Sequence, residues 1–88
     1  MKAEFSNRFL KDIEKLPNMA AKSAVADAIE AVEAAPDSTT LVNIKKLSGF
    51  KNAYRIRVGD FRIGLFITGE TAEFVRVLSR KDIYKLFP

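Results

Sequence analysis

The sequence predicts an α+β fold, with an N-terminal helical hairpin on one face of a small, mainly antiparallel β-sheet and a short C-terminal helix. Two observations carry this reading. Apolar residues recur every three to four positions up to Pro36 and every second position in the strand-like runs beyond Asp37. Gly59-Asp60 joins two such alternating runs, and a glycine in a two-residue loop marks a tight hairpin. With 88 residues the chain has the size of one small domain, taken as residues 1–88.

The elements follow in order. Lys2 to Phe5 reads as a short strand. Ser6 then has the chemistry of a helix N-cap, and Phe9, Leu10, Ile13 and Leu16 form one helical stripe that stops at Pro17. A second, alanine-rich helix starts near Asn18 and presents Val25, Ala28, Ile29 and Val32 until Pro36 ends it. After Asp37, Tyr54, Ile56 and Val58 alternate with Arg55 and Arg57. Beyond the Gly59-Asp60 turn, Phe61, Ile63, Leu65 and Ile67 alternate with Arg62, Gly64, Phe66 and Thr68. Phe74 to Leu78 gives the next strand, and Arg80 to Phe87 one or two helical turns before Pro88.

Composition narrows the chemistry. There is no cysteine and no histidine, so disulfides and thiolate nucleophiles are excluded and a zinc centre is not expected. No apolar run approaches the roughly 20 residues that span a bilayer, and the acidic, amphipathic start is unlike a signal peptide. These features predict a cytoplasmic domain with no cofactor, no metal and no membrane partner. Charge is unevenly spread: residues 1–36 carry five basic and six acidic groups, residues 37–88 ten and five. An excess of cation confined to one half points to an anionic partner.

The hairpin fixes side-chain neighbours. With Gly59-Asp60 as the loop, Val58 faces Phe61, Arg57 faces Arg62, Ile56 faces Ile63 and Arg55 faces Gly64. The apolar set then packs on the helices and the arginines share the opposite face. For the next turn, a two-residue loop at Gly69-Glu70 would bury Arg76, at a cost of several kcal/mol for an unpaired charge. A three-residue loop through Thr71 is therefore expected, with Val75 opposite Leu65, Val77 opposite Ile63 and Arg76 beside Gly64. Arg55, Arg57, Arg62, Arg76 and Arg80 would converge on one face without a neutralising carboxylate. Arginine suits phosphate because its planar fork binds bidentately. Gly64 would leave room for a ligand in the middle of that patch.

Lys46-Leu47-Ser48-Gly49, Tyr54-Arg55-Ile56-Arg57-Val58-Gly59-Asp60-Phe61-Arg62-Ile63 and Val77-Leu78-Ser79-Arg80-Lys81-Asp82-Ile83-Tyr84 together resemble the RelE/ParE superfamily of bacterial type II toxins, RelE-like branch. That resemblance implies a ribosome-dependent mRNA endoribonuclease that inhibits translation. It implies metal-independent cleavage in the ribosomal A site, by attack of the substrate 2′-hydroxyl on the scissile phosphate. Carried over onto this chain, it makes Arg57, Arg62, Arg80 and Tyr84 the catalytic set: Arg62 on the scissile phosphate, Arg80 at the leaving group, Tyr84 orienting or stacking the nucleotide. Lys46, Lys51, Arg55, Arg76 and Lys81 are the expected RNA contacts.

Two departures from the family pattern matter. Arginine stands at both strand positions where lysine is usual, and guanidinium is a poor general base. Ser79 stands where other members carry histidine. The resemblance also implies a cognate antitoxin with a flexible acidic segment, and operator DNA reached only through the antitoxin complex. The alternatives are a ParE-like gyrase inhibitor without nuclease chemistry and a catalytically idle homologue.

Overall fold

The computed structural model describes residues 1–88. Strand β1 (Lys2–Phe5) leads into α1 (Asn7–Glu14) and α2 (Met19–Ala34). A 3-10 turn at Ser38–Thr40 and a three-residue strand, β2 (Ile44–Lys46), come next. The meander β3 (Ala53–Val58), β4 (Phe61–Thr68) and β5 (Thr71–Ser79) follows, and α3 (Arg80–Leu86) closes the chain. The sheet order is β1-β5-β4-β3-β2, with β1 parallel to β5 and every other pair antiparallel.

Local chemistry explains the boundaries. Ser6 caps α1, its Oγ accepting from the Phe9 N–H at 3.1 Å while donating to the Val75 carbonyl at 2.9 Å. The same residue thus ends β1 and anchors the first helix to β5. Asn18 caps α2 by accepting from the Ala21 N–H, and Pro36 lies just past its end. Gly59 adopts φ +59° in the β3–β4 turn, a conformation other residues rarely enter.

The main core lies between the helices and one sheet face. Phe9, Leu16, Val25 and Val32 meet Ile56, Ile63, Leu65, Ala72, Phe74 and Val77 there. Of the α1 stripe, Leu10 stays 49% exposed, whereas Asp12 is buried. A second, smaller cluster occupies the other face. Leu47, Ala53, Ile83 and Phe87 form it, with Phe66, Val75 and Leu78 against them, so α3 and the C-terminal residues fold over that face.

The β3–β4 register is the expected one, Arg57 opposite Arg62 and Arg55 opposite Gly64. The β4–β5 turn differs from expectation. It is the two-residue loop, with Thr68 paired to Thr71 and Phe74, rather than Val75, opposite Leu65. A bulge at Val75 then shifts the strand by one residue, so that Arg76 still pairs with Gly64 and Val77 with Ile63. The bulge absorbs the shift that a longer loop was expected to provide.

Gly64 leaves no room for a ligand. A Cβ there would sit 2.5 Å from Cγ of Phe87, so the absent side chain is what lets the Phe87 ring lie on the strand.

Candidate active site

The basic face is built by β2, β3, β4 and α3. Lys45 pairs with Arg55 across β2–β3, and Arg57 with Arg62 across β3–β4, which sets all four on one side of the sheet. Asn43 precedes β2 in a left-handed conformation, φ 60°, which asparagine tolerates better than most residues. From there its Oδ1 accepts from Arg57 Nη2 at 3.0 Å, and its carbonyl accepts from the Arg57 N–H at 2.9 Å. Arg62 is held by its own turn: Nη1 donates to the Gly59 and Phe61 carbonyls at 3.0 and 2.9 Å. Its Nε and Nη2 keep their donors without a protein partner.

On α3, Ser79 caps the first turn by accepting from the Asp82 N–H at 3.3 Å, so its hydroxyl serves as an N-cap. Tyr84 projects from the exposed side of this helix, 62% exposed, and the Arg55 guanidinium carbon lies 4.3 Å from its ring centroid. That contact is a cation–π pair, and it orients both groups.

These side chains line adjoining hollows. One of about 140 Å³ is walled by Asn43, Lys45, Arg55, Arg57, Arg62 and Tyr84. Arg62 also borders a second, with Gly59, Asp60, Ser79, Arg80 and Lys81. A third, of about 400 Å³, shares Lys45, Arg55 and Tyr84 with the first and adds Leu47, Ser48, Phe50, Phe87 and Pro88. No aspartate or glutamate side chain lines the first or the third. The protein has two ion pairs, Lys2–Glu4 and Asp12–Arg76. Arg55, Arg57, Arg62 and Arg80 thus carry their charge without an acidic partner. Like charges opposed across a ladder destabilise it by about 0.2–1 kcal/mol, and Arg57 facing Arg62 accepts that cost.

Three expected site residues lie elsewhere. Arg76 is not on the basic face: its guanidinium is bound by the buried Asp12 of α1 at the edge of β5, Nε to Oδ2 at 2.8 Å and Nη2 to Oδ1 at 3.2 Å. That hydrogen bond pushes the Arg76 pKa above its ordinary value, so the charge is permanent and already matched. Lys46 pairs with Tyr54 and follows the alternation of Ile44 onto the helical side. Its neighbour Lys45 takes the place beside Arg55. Lys51 is exposed in the β2–β3 connection and lines none of the three hollows. Conversely Asn43, Lys45 and Phe50 belong to the site without having been singled out from the sequence. For Lys45 the sequence offered no readable period, because β2 has only three residues.

Residues 3–84 match the family model for the ParE toxin of type II toxin-antitoxin systems. The chain is 40% identical over 88 residues, the whole of both chains, to toxin RelE3 of Methanocaldococcus jannaschii. This chain belongs to the RelE/ParE superfamily of type II toxins. Its fold superposes on a RelB-RelE antitoxin-toxin complex from Methanococcus jannaschii with a TM-score of 0.80 and 38% identity, covering 97% of this chain and 99% of that one. The isolated Escherichia coli RelE toxin has the same fold at 19% identity, with a TM-score of 0.65 over 97% of this chain and 92% of that one. Within the superfamily, identity to RelE3 along the full length makes this a RelE toxin of a type II toxin-antitoxin system. No helix is long and apolar enough to cross a membrane.

Proposed function

We propose that this RelE toxin is an mRNA endoribonuclease that cuts in the ribosomal A site and so stops translation. One observation carries the reading: Arg55, Arg57, Arg62 and Arg80, none with a carboxylate partner, line contiguous hollows with Tyr84. A strand of RNA supplies the missing anions, one phosphate per nucleotide.

In the proposed reaction the substrate's 2′-oxygen forms a bond to the adjacent phosphorus while the bond from phosphorus to the 5′-oxygen breaks. The 2′-hydroxyl loses its proton and the departing 5′-oxygen gains one, leaving a 2′,3′-cyclic phosphate and a 5′-hydroxyl. Charge accumulates on the non-bridging oxygens at the crowded transition state. Arg62 and Arg57, already oriented by backbone carbonyls and Asn43, meet it with little reorganisation. Arg80, which lines a hollow together with Arg62, takes the charge developing on the leaving oxygen. Tyr84, under Arg55, supports a nucleotide and offers a hydroxyl. The guanidinium groups do not exchange protons near neutrality, so proton traffic at this site falls to Tyr84, Lys45, Lys81 and water. Electrostatic stabilisation then carries more of the rate than general-base help.

The partner that restrains the toxin is proposed to be a RelB-like antitoxin, as in the RelB-RelE complexes whose toxin shares this fold. An acidic segment would quench the basic hollows. A separate, mainly apolar hollow between α2 and β3, lined by Ala24, Ala28, Leu41 and the 78%-exposed Val42, offers such a segment an apolar anchor.

The experiment is translation in a purified system with the toxin added, followed by end analysis of the mRNA. Fragments with 5′-hydroxyl and 2′,3′-cyclic phosphate ends are expected. Intact mRNA with supercoiling by DNA gyrase inhibited would establish the ParE-like reading instead.

A further inference from the structure

Phe50 lies outside both apolar clusters that hold the fold together. It sits in the β2–β3 connection, 49% exposed. Burial of a phenylalanine contributes roughly 1.5–3 kcal/mol, and Phe50 forgoes much of it. It lines the larger hollow together with Tyr84, the other exposed aromatic on this face, over a floor that includes Leu47 and Phe87. Lys45, Arg55 and Ser48 supply the polar wall, and no aspartate or glutamate side chain lines it. Aromatic faces beside cations form the surface that single-stranded nucleic acid stacks on. This hollow also shares Lys45, Arg55 and Tyr84 with the arginine-lined one. A nucleotide whose phosphate rests on Arg57 and Arg62 therefore has a neighbouring base within reach of Phe50.

We propose that the hollow between Phe50 and Tyr84 is a nucleobase pocket, with Phe50 as the stacking platform that positions the base next to the scissile phosphate. This rests on the RNA-cleaving reading and adds to it a base-binding residue. Stacking is tolerant of base identity, so Phe50 positions the strand, and Lys45 and Ser48 supply the donors and acceptors that discriminate between bases.

The test uses ribosomes programmed with an mRNA that carries 2-aminopurine in the A-site codon and a 2′-deoxy substitution at the scissile nucleotide. Wild-type protein should quench the fluorescence on binding. Phe50→Leu should lose most of that quenching and bind about 5- to 150-fold more weakly, the range that stacking contributes per base. Phe50→Trp should restore both. Phe50 lies outside both cores, so thermal melts of the three proteins should coincide. Equal affinity and quenching in wild type and Phe50→Leu overturn the base pocket and leave the RNA reading standing. If Phe50→Leu instead binds a RelB-like antitoxin more weakly while RNA binding is unchanged, Phe50 is a protein contact and the proposal fails. Wild-type protein that binds no mRNA removes the RNA reading itself.

Discussion

The Asp12 carboxylate grips the Arg76 guanidinium with both oxygens, Oδ2 to Nε at 2.8 Å and Oδ1 to Nη2 at 3.2 Å, and Oδ2 also accepts from the Val77 N–H at 3.1 Å. A residue on the first helix thereby satisfies the edge of β5 where β1 ends, and neutralises one of the five arginines expected to converge on the basic face. Both side chains are nearly buried, so the pair belongs to the fold and the remaining four arginines to the site.

Removing one half of a buried, hydrogen-bonded pair strands the other charge, which costs about 3–5 kcal/mol. Asp12→Ala should therefore lower the unfolding free energy by that much, read as a fall in urea midpoint equal to that loss divided by the m-value. Asp12→Leu combined with Arg76→Met should recover a large part of the loss. Because the Arg76 pKa is raised, the pair's contribution is present below the guanidinium range and is lost only as pH climbs through it. The difference in urea midpoint between wild type and the double variant should stay constant from pH 7 to pH 10.

What was legible in the sequence was local. The Gly59-Asp60 turn fixed Arg55, Arg57 and Arg62 on one face because a two-residue hairpin leaves a single register. The Ser6 and Asn18 caps lay beside the stripes they open. What escaped involved contacts distant in sequence or elements too short to show a period. Asp12 reads as a polar position of an amphipathic helix, and only its meeting with Arg76, 64 residues on, makes it buried. Strand β2 has three residues, too few for alternation to be read, so Lys46 was taken where Lys45 stands. The Val75 bulge was hidden because turn length and strand register trade against each other. Gly64 was read as space for a ligand, since nothing near it in sequence announces Phe87.

Gly64→Ala would drive a methyl group into the Phe87 ring. Overpacking of this kind costs roughly 1–3 kcal/mol, and hydrogen exchange should show α3 amides opening more readily. Adding Phe87→Ala should relieve part of the Gly64→Ala penalty. If the two costs simply add, the close approach described here is absent.

Each arginine of the site should act on affinity more than on stability. Arg55→Ala, Arg57→Ala and Arg62→Ala should each weaken binding to single-stranded RNA, and each should lower the salt-dependence slope by about 0.7. Arg57→Ala should leave the melting temperature unchanged or slightly raised, because it removes the repulsion against Arg62. Salt-dependent fluorescence anisotropy alongside thermal melts would check both.

Lys45 and Lys46 are adjacent in sequence and face opposite sides of the sheet. Lys45→Ala should weaken RNA binding several-fold, whereas Lys46→Ala should leave it unaltered. The comparison needs only the two variants and one titration, and equal losses would contradict the face assignment.

The central claim is that the face built by Arg55, Arg57, Arg62, Arg80 and Tyr84 cuts mRNA on the ribosome. Primer extension on mRNA from a purified translation reaction tests it most directly, comparing wild type, Arg62→Ala and Lys46→Ala at equal folded concentration. New ends inside ribosome-occupied codons with wild type and Lys46→Ala, and none with Arg62→Ala, are the expected result. Cleavage that survives Arg62→Ala, or mRNA left whole by the wild-type protein, would contradict it.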